Sequence, residues 1–138
     1  MTGGSSSSAG VRRPIVLWSA VLLALIAAHD LSHALDDGLE TSLGALALVA
    51  TPQWIVLALA MAIIVRADAG RSALTAFALG LGIVVGFGAV HLLPFSPAPY
   101  WELEPSAVSW LLVFVPVAVG LVLAALAWPR RRAVAAAA

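Results

Sequence analysis

The sequence predicts an all-α integral membrane protein, with four transmembrane helices in an up-down bundle and both termini cytoplasmic. Three observations carry that expectation. The 138 residues are 62% hydrophobic and only 10% charged, with a mean hydropathy of +1.05, whereas a soluble domain is ~45–50% apolar and ~25% charged. Four long apolar runs lie at about 14–35, 42–65, 72–93 and 106–128, each close to the ~20 residues that cross a ~30 Å hydrocarbon core as a helix. All seven basic residues are arginines, at 12–13, 66–71 and 130–132. Four crossings put those three places on one side, which the positive-inside rule makes cytoplasmic.

Backbone groups must be paired inside hydrocarbon, and the runs lack the period-2 alternation of barrel strands, so helices are the reading that satisfies them. Residues 1–11, with the Gly/Ser tract "MTGGSSSSAG", are expected to be a disordered tail. Residues 12–129 form a single four-helix domain, and 130–138 a basic, Ala-rich tail with nothing to tie it down. A rival reading takes residues 1–34 as a signal peptide cleaved after Ser32-x-Ala34, which leaves three helices. The length of the apolar run, and His and Asp inside the cleavage region, favour the span. The Arg12-Arg13 pair lacks the flanking pattern of a twin-arginine signal.

Helix two contains "ATPQW". Pro52 has no N–H to donate and frees the Leu48 carbonyl, so a kink is expected there, with Thr51 and Gln53 able to satisfy freed groups or reach another helix. Trp54 falls deep in helix two, away from the interfacial belt that suits the other tryptophans. Helix three carries "GLGIVVGFG". Gly82 and Gly86 form a GxxxG face, with Gly80 and Gly88 nearly opposite, so close packing is expected on both sides. Helix four opens at Glu104-Pro105-Ser106, with an acid near the positive dipole end and Pro at a first-turn position, and Pro116 interrupts it. The loop "PFSPAPYWELE", 94–104, is read as a stiff interfacial cap.

Several functions are excluded early. The chain has no Cys, which removes disulfides, thiolate metal sites and cysteine nucleophiles. Its formal net charge is zero and its arginines are spent at the membrane flanks, so nucleic-acid binding has no support. "DDGLE", 36–40, reads better as a solvated turn than as a magnesium-holding pair of carboxylates. No catalytic set is legible, so a non-enzymatic role is preferred, with an enzyme acting on a lipid left open as a third, thinner reading.

The chemistry concentrates in "AAHDLSHALDD", 27–37. His29, His33 and Asp37 share a helix face, because four residues is close to one turn. With helix one ending near Leu35, His33 lies ~3 Å and His29 ~9 Å below that end. His91 stands level with His33 near the same end of helix three. Across the diagonal of a square bundle with ~10 Å neighbours, facing Cα atoms are ~9–10 Å apart, so two inward histidines can share one ion.

His29, His33 and His91, with Asp37, would suit Zn, Cu or Fe with an open coordination position. Haem b is the variant with one histidine from each helix and Gly80 and Gly88 making room. Asp30 and Asp36 are then acceptors for the imidazole N–H groups. The competing reading makes the histidines structural, since polar groups near a helix end reach interfacial water, and His29, a turn deeper, is the informative residue. Two function classes follow: a metal- or haem-binding module, and an accessory or scaffold subunit docked onto a larger membrane complex. The expected partners are the bilayer of the cell membrane and either a second copy or that larger complex.

Overall fold

Helix ends and helix faces in this chain are set by a few polar caps and by glycine. The computed structural model describes the backbone of residues 6–36, 43–93 and 106–135, and the side chains of 12–32, 51–93 and 106–128. It contains α1 (Ser6–Asp36), α2 (Leu43–Arg66), α3 (Ala69–Phe87), a π-helical turn (Gly88–Leu92) that continues α3, and α4 (Ala107–Ala135). Arg12–Ser32, Ala69–Leu92 and Ala107–Trp128 are long and apolar enough to cross a membrane, and Thr51–Arg66 is a shorter apolar stretch within α2.

The helices extend beyond the apolar runs. The expected disordered tail, 1–11, is helical from Ser6, and α4 continues through Arg130–Arg132 to Ala135. Once a helix is nucleated, each added residue gains a hydrogen bond, so propagation past the hydrocarbon boundary is cheap. Pro14 and Pro52 lie inside α1 and α2. The "DDGLE" turn from Asp37 onward and the 94–104 loop lie outside the described residues.

Among the described residues, the α2–α3 connection is the best capped. Asp68 is the N-cap of α3, with φ −60° and ψ 166°. Its Oδ1 accepts from the backbone N–H of Gly70 and of Arg71, both at 3.0 Å. On the other side of the turn the Ser72 hydroxyl donates to the Ile64 carbonyl at 2.9 Å. Arg12, from α1, donates to the Ile64 carbonyl at 3.4 Å and to the Val65 carbonyl. Two carbonyls in the last turn of α2, which have no partner within their own helix, are thereby satisfied. At α4 the cap is Ser106, whose Oγ accepts from the Ser109 N–H at 3.2 Å.

Neighbouring helices alternate in direction. Arg12 meets the end of α2 while Asp30 meets residues 53–54 near its start. Phe77 of α3 meets Trp128 of α4 at a tilt of 45°, with ring centroids 5.2 Å apart, while Gly80 lies against Gly120. Each helix packs on its neighbours in sequence, and α1 closes the ring against α4. The core runs through Leu22 and Ile26 of α1, Ile64 of α2, Ala73 and Ala76 of α3, and Val113, Leu123 and Ala127 of α4.

The closest approach is between α3 and α4. A Cβ added at Gly80 would stand 2.5 Å from the Gly120 carbonyl oxygen and 3.0 Å from the Ala124 nitrogen; one added at Gly120 would stand 2.8 Å from the Gly80 carbonyl oxygen. Backbone meets backbone, so only glycine fits. At Gly82, Gly86 and Gly88 an added Cβ meets nothing within 4 Å. The GxxxG face is therefore not the packing face within the chain. Outward, Leu17, Leu59, Leu74, Val85, Leu111 and Leu121 are exposed, an apolar surface that suits lipid and that water would not tolerate.

Two predictions follow from these contacts. Gly80→Ala must push α3 and α4 apart and should cost ~1–3 kcal/mol, whereas Gly82→Ala should be neutral or stabilise by up to ~1 kcal/mol. Unfolding in mild detergent by added SDS measures both, and equal stability of the two variants contradicts the assignment of the crossing.

The Asp68 carboxyl is held below its ordinary value, first by the Arg71 N–H, against some desolvation, with further help from the Gly70 N–H and the Arg71 charge. A lowered folded value contributes stability above the unfolded carboxylate pKa that is lost as pH falls through the folded one. Asp68→Ala should lower Tm at neutral pH, while Asp68→Asn should keep the cap and flatten the loss of stability below about pH 4. An unchanged acid limb in the Asn variant contradicts this.

Candidate functional site

The buried face of α1 reads Ile15, Ser19, Leu22, Ile26, His29. The steps alternate between four and three residues, the spacing of a stripe that faces a bundle interior. His29 occupies the next position of that stripe and is carried inward with it. On α3 the buried residues Ala76, Gly80 and Phe87 lead to His91 in the same way. The π-helical turn adds a residue to the winding, so residues beyond it are rotated by roughly one position, ~100°, from α-helical register. His91 lies within that turn.

The two histidines, 4% and 8% exposed, are hydrogen-bonded to each other across the bundle. Their ring centroids are 5.0 Å apart, edge to face at 74°. Phe87 touches both, at 4.8 Å from His29 and 5.6 Å from His91. A direct imidazole–imidazole bond needs one ring N–H to donate and one bare ring nitrogen to accept. The pair therefore holds a proton at its centre. One metal ion with ~2.0–2.1 Å bonds at a tetrahedral angle would hold the same nitrogens ~3.3 Å apart, close to hydrogen-bond separation.

The remaining candidates divide. His33 sits on the backbone of α1 one turn beyond His29; its side chain and those of Asp36 and Asp37 lie outside the described set. Among the described residues, no group of three or more His, Asp or Glu gathers where it could hold a metal ion. Asp30 reaches toward α2, where its Oδ2 accepts from Trp54 Nε1 at 2.9 Å and from Gln53 Nε2 at 3.3 Å. Thr51 and Pro52 are exposed beside Gln53, and Pro116 is buried in α4. Gly80, expected to make room for a macrocycle next to His91, is instead sealed against Gly120 and Ala124.

A groove of about 680 Å³ opens beside the pair, between α2 and α3. Leu57, Leu79, Phe87 and the two imidazoles form its buried floor, while Gln53, Val56, Gly82 and Gly86 form an exposed rim. The walls are mostly apolar; Asp30, Gln53 and the histidines lie at one end, and Thr75 lies toward the other.

Three contributors were not singled out from the sequence. Phe87 precedes His91 by four residues, the spacing already applied to His29 and His33, so its contact was within reach. Trp54 stood out only as a tryptophan too deep for the interface, and its indole N–H bond to Asp30 accounts for that depth. Gly120 is a lone glycine in α4, and nothing local to it signals a crossing with Gly80.

Fold and site together define a helical protein of membrane character with a buried, mutually hydrogen-bonded histidine pair. Compared with known protein families, characterised proteins and solved structures, the chain matches none.

Proposed function

We propose that this protein is a small membrane-embedded module that binds a first-row transition metal ion through His29 and His91. The observation that carries the reading is the meeting of two buried imidazoles from α1 and α3, 62 positions apart in sequence, at hydrogen-bond contact. Exchanging their shared proton for a metal ion needs no movement of either helix. His33, one turn above His29, is the proposed third ligand and Asp37 the fourth, with Asp36 in support as a hydrogen-bond acceptor. Asp30, held by Gln53 and Trp54, contributes negative charge beside His29.

Imidazole-rich sites of this kind favour Zn, Cu or Fe over Mg or Ca. Haem b is the weaker candidate. A six-coordinate haem needs its two axial nitrogens ~4 Å apart on opposite faces of a flat ring, whereas these imidazoles meet edge to face with Phe87 against both. By the positive-inside rule the arginine-bearing ends of the helices are cytoplasmic, and the histidine end faces outward from the cell membrane. Metal would then be exchanged with the extracytoplasmic side.

Titration of the detergent-purified protein with Zn²⁺ and Cu²⁺ tests this. One ion should bind per chain, with release of protons and loss of affinity as pH falls, because protons compete for the imidazoles. His29→Ala and His91→Ala should each weaken binding at least ~10–100-fold. Wild-type protein that binds neither these ions nor Fe²⁺, with both variants folded, favours the alternative of an accessory subunit with structural histidines.

A further inference from the structure

At the far end of the bundle from the histidines, three helices bring four arginines to one corner. Arg12 lays its guanidinium on the Ile64 and Val65 carbonyls in the last turn of α2, which sets this part of α1 beside the α2–α3 turn. Arg13 follows in sequence, Arg66 is the last residue of α2, and Arg71 lies in the first turn of α3. Only Ala67 and Asp68 connect α2 to α3, so the backbones of 66 and 71 stay together. By sequence the corner holds four guanidiniums and one carboxylate. That carboxylate, Asp68, is committed: Oδ1 caps α3 and Oδ2 lies 3.5 Å from Arg71 Nε. Arg12 is committed to the α2 carbonyls. Arg13, Arg66 and Arg71 are exposed, and among the described residues no carboxylate is within ion-pair distance of Arg13 or Arg66.

The depth of this corner identifies its neighbours. Arg12 opens the first apolar span, Arg66 closes the apolar stretch of α2, and Arg71 stands just inside the Ala69–Leu92 span. All four backbones therefore lie within ~3 Å of an apolar boundary, at ~1.5 Å per residue. The headgroup layer beyond a ~30 Å hydrocarbon core is ~5–8 Å deep on each side, within reach of an arginine side chain. The anion at that level of a bilayer is the lipid phosphate. A guanidinium pairs with phosphate through two parallel N–H bonds, and basic groups gathered between helix ends at a membrane surface attract anionic heads. A zwitterionic head brings its own cation against the arginines, whereas an anionic head without an amine does not.

We infer that the corner formed by α1, α2 and α3 binds the phosphate of an anionic phospholipid whose head carries no amine. Arg13, Arg66 and Arg71 hold the phosphate, and Arg12 fixes α1 to α2 so that they meet. The site lies ~24 Å along α1 from His29 and shares no residue with the metal site, so the two readings can fail separately.

The test uses the full-length protein in phosphatidylcholine bilayers containing chain-spin-labelled phosphatidylglycerol or phosphatidylcholine. Electron spin resonance measures how much of each lipid the protein immobilises. The wild type should prefer phosphatidylglycerol roughly fivefold. Arg13→Gln with Arg66→Gln should remove most of that preference and leave Zn²⁺ binding as in the wild type. Arg130→Gln with Arg131→Gln removes the same charge from α4 and should keep most of it. Equal association of the two lipids with the wild type overturns the proposal. Equal loss in the two double variants shows diffuse surface charge only and also overturns it. Loss of the preference on adding inorganic phosphate at fixed ionic strength assigns the corner to the free ion and overturns the lipid. If the first double variant does not fold, phosphatidylglycerol with a photoreactive head decides the matter on the wild type. Its label should concentrate on residues 12–13 and 66–71, and equal labelling of 130–132 overturns the proposal.

Discussion

The contact of α3 with α4 at Gly80 and Gly120 is the constraint on which the rest of this bundle depends. Lipid tails are as apolar as leucine, so no hydrophobic force drives helices together inside a bilayer; close packing must do it. Two glycines placed face to face let backbone approach backbone, and Ala76, Val113, Leu123 and Ala127 pack around that line. With α3 committed to α4, α2 shows no equivalent close crossing among the described residues and meets α3 across an open slot. The groove is a consequence of where the tightest contact was placed.

The histidine pair does not hold the bundle together. Hydrogen bonds between membrane helices average well under 2 kcal/mol, and burying polar ring atoms has a cost that two well-packed leucines would avoid. Position 29 belongs to a stripe that otherwise carries Ile15, Leu22 and Ile26, so an apolar residue would serve packing better. Their mutual bond offsets part of the cost of burial. The arrangement is better explained by chemistry than by stability. Asp30 extends the logic, because its bonds from Trp54 and Gln53 anchor α2 at the end of the groove where the polar groups gather.

Much of this was legible in the sequence, for physical reasons. Hydropathy and the arginine positions reported four helices and their alternation, because the bilayer allows few other solutions. Bundle geometry allows His29 to meet His91 without requiring it, and depth alone sets His91 level with His33 instead. What escaped was which helix that face of α3 meets at each level. At a uniform 100° per residue Gly80, Phe87 and His91 share a side, and that side meets α4 at Gly80 but α1 at Phe87 and His91. Periodicity gives a face, not its neighbour. The GxxxG motif misled in the same way: Gly82 and Gly86 border open space, and the true crossing uses one glycine from each of two helices. The early start of α1 at Ser6 escaped because Ser and Gly carry little helix signal of their own.

The central claim is that α1 and α3 bring two imidazoles to share one proton inside the bundle. Magnetic resonance of protein with isotope-labelled imidazole nitrogens tests it most directly, by correlation across the hydrogen bond. The structure requires a coupling between one His29 nitrogen and one His91 nitrogen, with the bridging proton shielded from exchange with water, and its disappearance in His91→Ala. Two uncoupled rings, each exchanging its N–H freely with solvent, would contradict the account.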